Sequence, residues 1–343
     1  MRLGLLLGYS GGRFTVDIDL VRHAEAAGFD SVWTAEAYGS DAATPLAWIA
    51  AQTERIKLGT GIMQIPARAP AMTAMTALTL DHLSGGGRVI LGLGPSGPQV
   101  VEGWYGASYG RPLTRTRECI EILRAIFERE KPVTFDGKVY RLPYDAPDGT
   151  GLGKPLKSIL HPLGDIPIFT AAIAPKGVAA SGELADGVIP IWVNPERTDI
   201  ITEPLAEGFA KAGDPAKKDR FRIAPFVTCV MGDDLGGCRM PVKAMLALYI
   251  GGMGARGKNF YNDYATKLGY GDAARTIQDL YLDGKKGEAM AAVPDALVDE
   301  VALVGSAERI RDRLAAWKAS PVTDMLLGCQ DRAAVDVLAE AAS

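Results

Sequence analysis

One carboxylate, Glu36, follows the apolar run "SVWTA" and stands between Trp33 and Tyr38. Burial among aromatic rings raises a carboxyl pKa, which suits a proton donor. A capping or loop carboxylate is the plain alternative. Two glycine clusters come next, Gly59-Thr60-Gly61 and Gly92-Leu93-Gly94-Pro95-Ser96-Gly97-Pro98, each at the end of an apolar run. Glycine weakens strands, so such clusters mark close backbone approach. The second lacks the GxGxxG spacing, and no acidic residue closes a short βαβ unit downstream, so a dinucleotide fingerprint is not supported. A third stretch, Ala171-Ala172-Ile173-Ala174-Pro175-Lys176-Gly177, leaves a strand and opens a helix with proline near its first turn. Small residues, free amides and the helix dipole favour a phosphate there, and Lys176 adds charge. A solvated lysine beside an ordinary helix start is the alternative.

Other chemistry-bearing residues are sparse. His23 and His82 fall on helical segments and read as surface or packing residues, whereas His161 lies in a proline-broken stretch that could overhang a pocket. Trp104-Tyr105, Trp192 and Asn259-Phe260-Tyr261 suit a substrate wall, a lid or plain core. Arg256 and Lys258 could meet an anionic group or form a solvated face. Asp41 reads as a helix cap. Cys119, Cys229, Cys238 and Cys329 are far apart and without CxxC spacing, which predicts reduced, buried thiols and no metal site.

The elements that must position these groups alternate almost from end to end. Apolar runs predict strands at Leu3–Leu7, Ser31–Ala35, Ile56–Ile62, Arg88–Leu93, Ile166–Ala172, Gly187–Trp192, Phe221–Met231 and Thr323–Gly328. Helix-period segments lie between them, and this alternation requires a parallel sheet. Two stretches break the rhythm, 131–165 after the fourth strand, with a hairpin at "VTFDGKVYRL", and 235–299 after the seventh. Eight βα units predict an α/β fold of the (β/α)8 TIM-barrel type, one domain over 1–343, with chemistry at the carboxyl ends of the strands. No His, Cys or Lys occupies a strand tip. That disfavours a metal hydrolase, a cysteine nucleophile and a Schiff-base lysine, and favours an apolar slot where a cofactor carries the chemistry. With Glu36 as the single strand-tip carboxylate, a glycosidase pair is missing.

At 343 residues with net charge −4 and pI about 5.6, the chain has no basic footprint for nucleic acid. No apolar run approaches a membrane span and no export leader is visible, so a cytoplasmic setting is expected.

The strand-end series "GFDSVWTAEAYGSDA", "IKLGTGIMQIPARAP", "LDHLSGG" with "RVILGLGPSGPQVVEGWYG", and "IPIFTAAIAPKGVAASGELADGVIPIW" resembles the bacterial luciferase-like superfamily. Within it the chain looks like the branch that uses the deazaflavin coenzyme F420, and "GGMGARGKNFYNDYATKLGY" with "IQDLYLDGKK" is similar to its actinobacterial members. The resemblance runs from Met1 to Gly328. It implies an oxidoreductase passing a hydride between F420 and a small organic substrate, as a homodimer or higher oligomer. FMN-dependent monooxygenation and a non-catalytic flavin-binding barrel are the alternatives. It also implies a non-prolyl cis peptide at Gly61-Ile62 as a backbone buttress behind the ring, and a cofactor slot lined by Gly94, Ser96 and Gly97. Ala172, Ile173, Ala174, Pro175 and Lys176 would hold the phosphate. Glu36 would serve as ring anchor or proton donor, with Tyr9 and Tyr38 as weaker donors. Two departures stand out: "SGGGR" has one glycine beyond the usual "SGGR", and Ala37 stands where some relatives place a histidine.

Overall fold

Strand and helix follow one another from the first residues of the chain, and the computed structural model describes residues 1–8 and 12–342. The barrel strands are β1 (Arg2–Leu6), β2 (Ser31–Thr34), β3 (Lys57–Thr60), β4 (Val89–Gly94), β5 (Ile168–Ala171), β6 (Gly187–Ile189), β7 (Phe226–Met231) and β8 (Asp324–Gly328). The helices that return the chain are α1 (Ile18–Ala26), α2 (Ala43–Ala50), α3 (Pro70–Leu83), α4 (Pro112–Glu128), α5 (Pro175–Leu184), α6 (Asp199–Ala212), α7 (Ala307–Ala319) and α8 (Arg332–Ala342). All barrel pairings are parallel, in the order β6-β5-β4-β3-β2-β1-β8-β7. The ring closes through the residues just before β7. Arg222 and Ile223 pair with Gly187 and Val188 of β6, while Phe226–Thr228 pair with Leu326–Gly328 of β8.

Two apolar layers hold this ring. A large outer core joins the strands to the helices through residues such as Leu46, Leu78, Leu123 and Leu338. The barrel interior is a separate cluster of Trp33, Ile90, Phe169, Ile189, Ala224 and Leu326. An eight-stranded barrel is only wide enough for its own side chains, and Trp33 fits because its neighbours are glycines. A Cβ on Gly59 would lie 2.3 Å from the indole, and one on Gly4 would lie 2.8 Å from Trp33 Nε1. The first glycine cluster therefore accommodates the protein's own indole before any ligand.

β3 is shorter than the expected Ile56–Ile62. It stops at Thr60 and resumes as Met63–Gln64 beside Leu93 and Gly94. Between the two pieces Gly61-Ile62 is a cis peptide, where the resemblance places one. The Gly61 N–H donates to Thr34 O at 2.6 Å, and Ile62 O accepts from Glu36 N at 3.1 Å, so this bend is tied to the end of β2.

Residues 131–165 connect the end of α4 to the start of β5, so they leave and rejoin the barrel on the face away from the strand tips. There Asp81, at the end of α3, accepts from Leu163 N at 2.7 Å. The expected hairpin forms, Phe135–Asp136 against Arg141–Leu142, and climbs beside α4, where Glu118 accepts from the amides of Lys138, Val139 and Tyr140. The hairpin lines one groove with Pro175 and Lys176 at the start of α5. Residues 235–299 follow β7 and do reach the strand tips. They form a helical lobe with its own core, which includes Trp192, Leu246, Ile250, Tyr264 and Leu297.

The four cysteines are buried free thiols, and burial pushes Cys119 and Cys329 up to about 12. Among the described residues no helix is long and apolar enough to cross a membrane.

A charge cluster closes the amino end of the barrel. Asp324, 1% exposed at the start of β8, accepts from Arg2 Nε and Nη2 at 3.0 and 3.1 Å and from Arg222 Nε at 3.0 Å. The Arg222 guanidinium also lies 5.3 Å from the centre of the Phe169 ring. Burial pushes the Asp324 carboxyl up, but the hydrogen bonds from Arg222 and Arg2 outweigh it and leave the carboxyl below its ordinary value. A carboxylate depressed in the folded state adds stability above its unfolded pKa, near 3.9, and loses it as pH falls through the folded value. Asp324→Asn is therefore expected to cost about 3–5 kcal/mol at neutral pH, because two guanidinium groups lose their anion. Urea unfolding at several pH values reads this, and the gap to the wild type should narrow below about pH 4.

Candidate active site

Near the carboxyl ends of β1 to β4 lies an apolar floor, completed by Phe226 at the start of β7. Leu6, Ile62 and Phe226 pack on the interior cluster while staying partly open to solvent. Ile62 reaches this position because Gly94 has no side chain; a Cβ there would lie 2.7 Å from Ile62 Cδ1. Gly61 in turn lies against Phe226, where a Cβ would meet the ring at 3.0 Å. Gly61, Ile62 and Gly94 are thus brought together at one place.

Glu36 lies beside that floor, buried and fully engaged. Its Oε1 accepts from Arg68 Nη2 at 2.9 Å and from Ala42 N at 3.2 Å. Its Oε2 accepts from Gln64 N at 2.8 Å and from Arg68 Nη1 at 3.1 Å. Four donors converge on the two oxygens of an ion-paired carboxylate. Both oxygens are thus used as acceptors within the protein. The geometry therefore favours a structural anchor over the expected proton donor, and the cause is Arg68.

Arg68 was not singled out by sequence reasoning, although a signal existed: it is the only charged residue between Lys57 and Asp81. Gln64 was also without an assigned role, and Tyr105 was expected only as substrate wall, lid or core. Gln64, 3% exposed, donates from Nε2 to Glu36 O at 3.3 Å and to Ser96 Oγ at 3.1 Å, and its Oε1 accepts from the Tyr105 hydroxyl. Ser96 has φ of 58°, in the left-handed region, as has Trp192 at 51°. Residues held there cost of order 1–3 kcal/mol and persist only where surrounding contacts over-determine them. Ser96 and Gly97 lead into the short helix Pro98–Gly103, and Gln99 Nε2 donates to Met253 O of the helical lobe at 3.0 Å.

Across the mouth, Ala172 and Ile173 are partly buried, and Ala174, Pro175 and Lys176 are exposed at the start of α5. Ala174 caps that helix without any side-chain hydrogen bond, and the small pair Ala172 and Gly177 leaves little bulk beside it; a Cβ on Gly177 would meet Ala172 Cβ at 3.3 Å. Lys176 makes no ion pair among the described residues. A groove of about 760 Å³ starts beside Pro175 and Lys176, but it is lined by Leu113, Arg117, Phe135 and Lys211 on the outer wall of the barrel. No barrel strand contributes to it, so it is not the slot for a ring.

Other candidates resolve by placement. Trp192 belongs to the lobe's core, with ring centres 5.7 Å from Tyr261 and 6.3 Å from Tyr264. Asn259 caps the helix Phe260–Ala265 and donates to Tyr249 O and Ile250 O. Trp104 and Tyr38 are exposed. His161 does not overhang the mouth: its carbonyl meets His82 Nε2 at 2.7 Å, near the far end of α3. His23 pairs with Asp336 on the surface. Arg256 is occupied by Asp279 at 2.7 Å, which removes it as a free anion receptor. Asp41 accepts from Thr44 N at 2.7 Å, as a cap should. Tyr9 lies outside the described residues.

The chain is similar to known proteins in sequence and fold. Residues 2–324 match the sequence model of the luciferase-like monooxygenases. A Mycobacterium tuberculosis protein, provisionally named a coenzyme F420-dependent oxidoreductase, is 48% identical over 95% of this chain and 94% of its own length. Among solved structures, the coenzyme F420-dependent tetrahydromethanopterin reductase of Methanopyrus kandleri superposes with a TM-score of 0.78 at 22% identity, covering 99% of this chain and 97% of that one. An F420-dependent secondary alcohol dehydrogenase, solved with an F420-acetone adduct, gives 0.74 at 19% identity with coverage of 99% and 97%. At such identities the two structures speak for the fold.

The Glu36 geometry makes a prediction about stability. Glu36→Gln replaces an acceptor by an amide that points N–H at existing donors, and about 1–3 kcal/mol of folding stability should be lost. Arg68→Met leaves a buried carboxylate without its cation and should cost more, about 3–5 kcal/mol. The double variant should lose less than the sum, read by urea unfolding of all four proteins.

Proposed function

Because the chain belongs to the luciferase-like monooxygenase family, we propose that it is a coenzyme F420-dependent oxidoreductase acting on a small organic substrate, an unsaturated or carbonyl acceptor or an alcohol donor. One observation carries the reading. Among the described residues the mouth has an apolar floor, and the carboxylate beside it is engaged by Arg68 and two backbone amides. Such a site must borrow its chemistry from a cofactor. The 48% identical relative supports the deazaflavin over FMN.

The residues present fit that group. Leu6, Ile62 and Phe226 offer apolar area to one face of a planar ring, and the bend at Gly61-Ile62 rises behind it. Gly94 lets Ile62 take its place, while Ser96 and the amide of Gly97 stand where they can meet the ring's polar edge. Ala172 to Lys176 supply small side chains, an uncapped helix start and a free ammonium for the phosphate. When bound, F420 supplies a ring carbon that gives or takes a hydride. The protein orients it, keeps water from the floor and presents the substrate between floor and helical lobe. Glu36 acts in this reading as the anchor that ties β2, the bend after β3 and Arg68 together. Trp48, Met72 and Met75 expose apolar surface on α2 and α3, which supports a homodimer, and four reduced thiols suit a cytoplasmic setting.

The deciding experiment is a fluorescence titration of the purified protein with F420 and with FMN, followed by turnover of reduced F420 against an acceptor panel. F420 binding with turnover is expected. Tight FMN binding without F420 binding would point to the monooxygenase alternative, and binding without turnover to a storage barrel. Lys176→Glu should weaken F420 binding by about 1–2 kcal/mol at low ionic strength and by less at high salt; unchanged affinity would move the phosphate elsewhere.

A further inference from the structure

The hydrogen bonds around Gln64 have a polarity that the side chains themselves dictate. Glu36 O is a carbonyl and can only accept, so the amide nitrogen of Gln64 must face it, and Oε1 must face Tyr105. The Tyr105 hydroxyl then spends its proton on Oε1. The second hydrogen of Nε2 goes to Ser96 Oγ at 3.1 Å. Ser96 is left with one proton and, among the described residues, no acceptor for it. Burial and the negative charge of Glu36 push the Tyr105 phenol above its ordinary value, so it remains a donor across the neutral range. The left-handed backbone of Ser96 holds its side chain against Gln64 at the rim of the apolar floor.

We propose that Tyr105 and Gln64 are positioning residues that aim the Ser96 hydroxyl proton at a hydrogen-bond acceptor on the edge of the bound ring, such as a ring carbonyl. This rests on the function proposed above, since it needs a planar cofactor over Leu6, Ile62 and Phe226. The chain Tyr105–Gln64–Ser96 links three segments, the bend after β3, the exit of β4 and the loop beyond Pro98–Gly103. A ring with an acceptor at that edge takes the Ser96 proton and is held in one orientation.

The test is a set of binding titrations with F420 and with FMN, recording both affinity and the absorption maximum of the bound ring. The wild type identifies which ring the protein takes, so a failure of the F420 reading is seen separately from a failure of the chain. With that ring, Ser96→Ala should weaken binding about tenfold, and Tyr105→Phe about threefold. Both should shift the absorption maximum in the same direction. The double variant Ser96→Ala with Tyr105→Phe should bind no worse than Ser96→Ala alone, because Tyr105 acts only through Ser96. Ser96→Gly separates hydroxyl from backbone. Glycine relieves the left-handed conformation, so a loss equal to that of Ser96→Ala supports the hydroxyl role, whereas full affinity would overturn it. Multiplying losses in the double variant, or Tyr105→Phe with wild-type affinity and spectrum, would also overturn the proposal. A wild type that binds neither ring would sink this inference together with the function it rests on.

Discussion

An indole sits in the middle of an eight-stranded ring, and the rest of the molecule is arranged around that fact. Trp33 is fully buried, donates from Nε1 to Ser31 Oγ at 2.8 Å and lies 6.1 Å from Phe169, centre to centre. The space comes from Gly4 and Gly59, and Gly187 does the same for Phe169, where a Cβ would meet the ring at 2.8 Å. The plug is solid, as interiors are. It also sets the height of the floor above it, because Leu6, Ile62 and Phe226 can sink no further. A shallow apolar platform at the mouth is therefore a packing consequence of two large rings below it.

The barrel handles charge differently at its two ends. At the amino end, Asp324 is shared by Arg2 and Arg222, and the cluster seals the ring where no chemistry is expected. At the carboxyl end, Glu36 is clamped by Arg68 and two backbone amides, so a buried carboxylate is spent on holding β2 to the bend after β3. In both places a buried carboxylate is spent on holding backbone segments together. A site built this way favours a ligand that brings its own reactivity and needs mainly to be held flat and oriented.

The insertions divide in the same sense. The stretch 131–165 packs against the ends of α3 and α4 and serves the stable face of the barrel. The lobe 235–299 folds around its own core and reaches the mouth through Trp192 and the Gln99–Met253 hydrogen bond. The aromatic side chains of this lobe mostly face inward on one another and on Trp192.

Sequence alone determined the eight βα units, the hairpin at Phe135–Leu142 and the buried thiols. Each rests on local pattern: apolar runs and their period report burial directly, and Gly and Pro mark where the backbone must turn. What it left open was which groups meet. Glu36 reads as an unpartnered acid in sequence, yet Arg68 is brought to it by the register of β2 against β3 and by the bend at Gly61-Ile62. Tyr105 reaches Gln64 across 41 positions because the chain doubles back after β4. The first insertion starts and ends on the amino face because it leaves from the end of a helix rather than the end of a strand. Contacts of this kind depend on the direction of side chains across neighbouring strands, and only the closed barrel sets those directions.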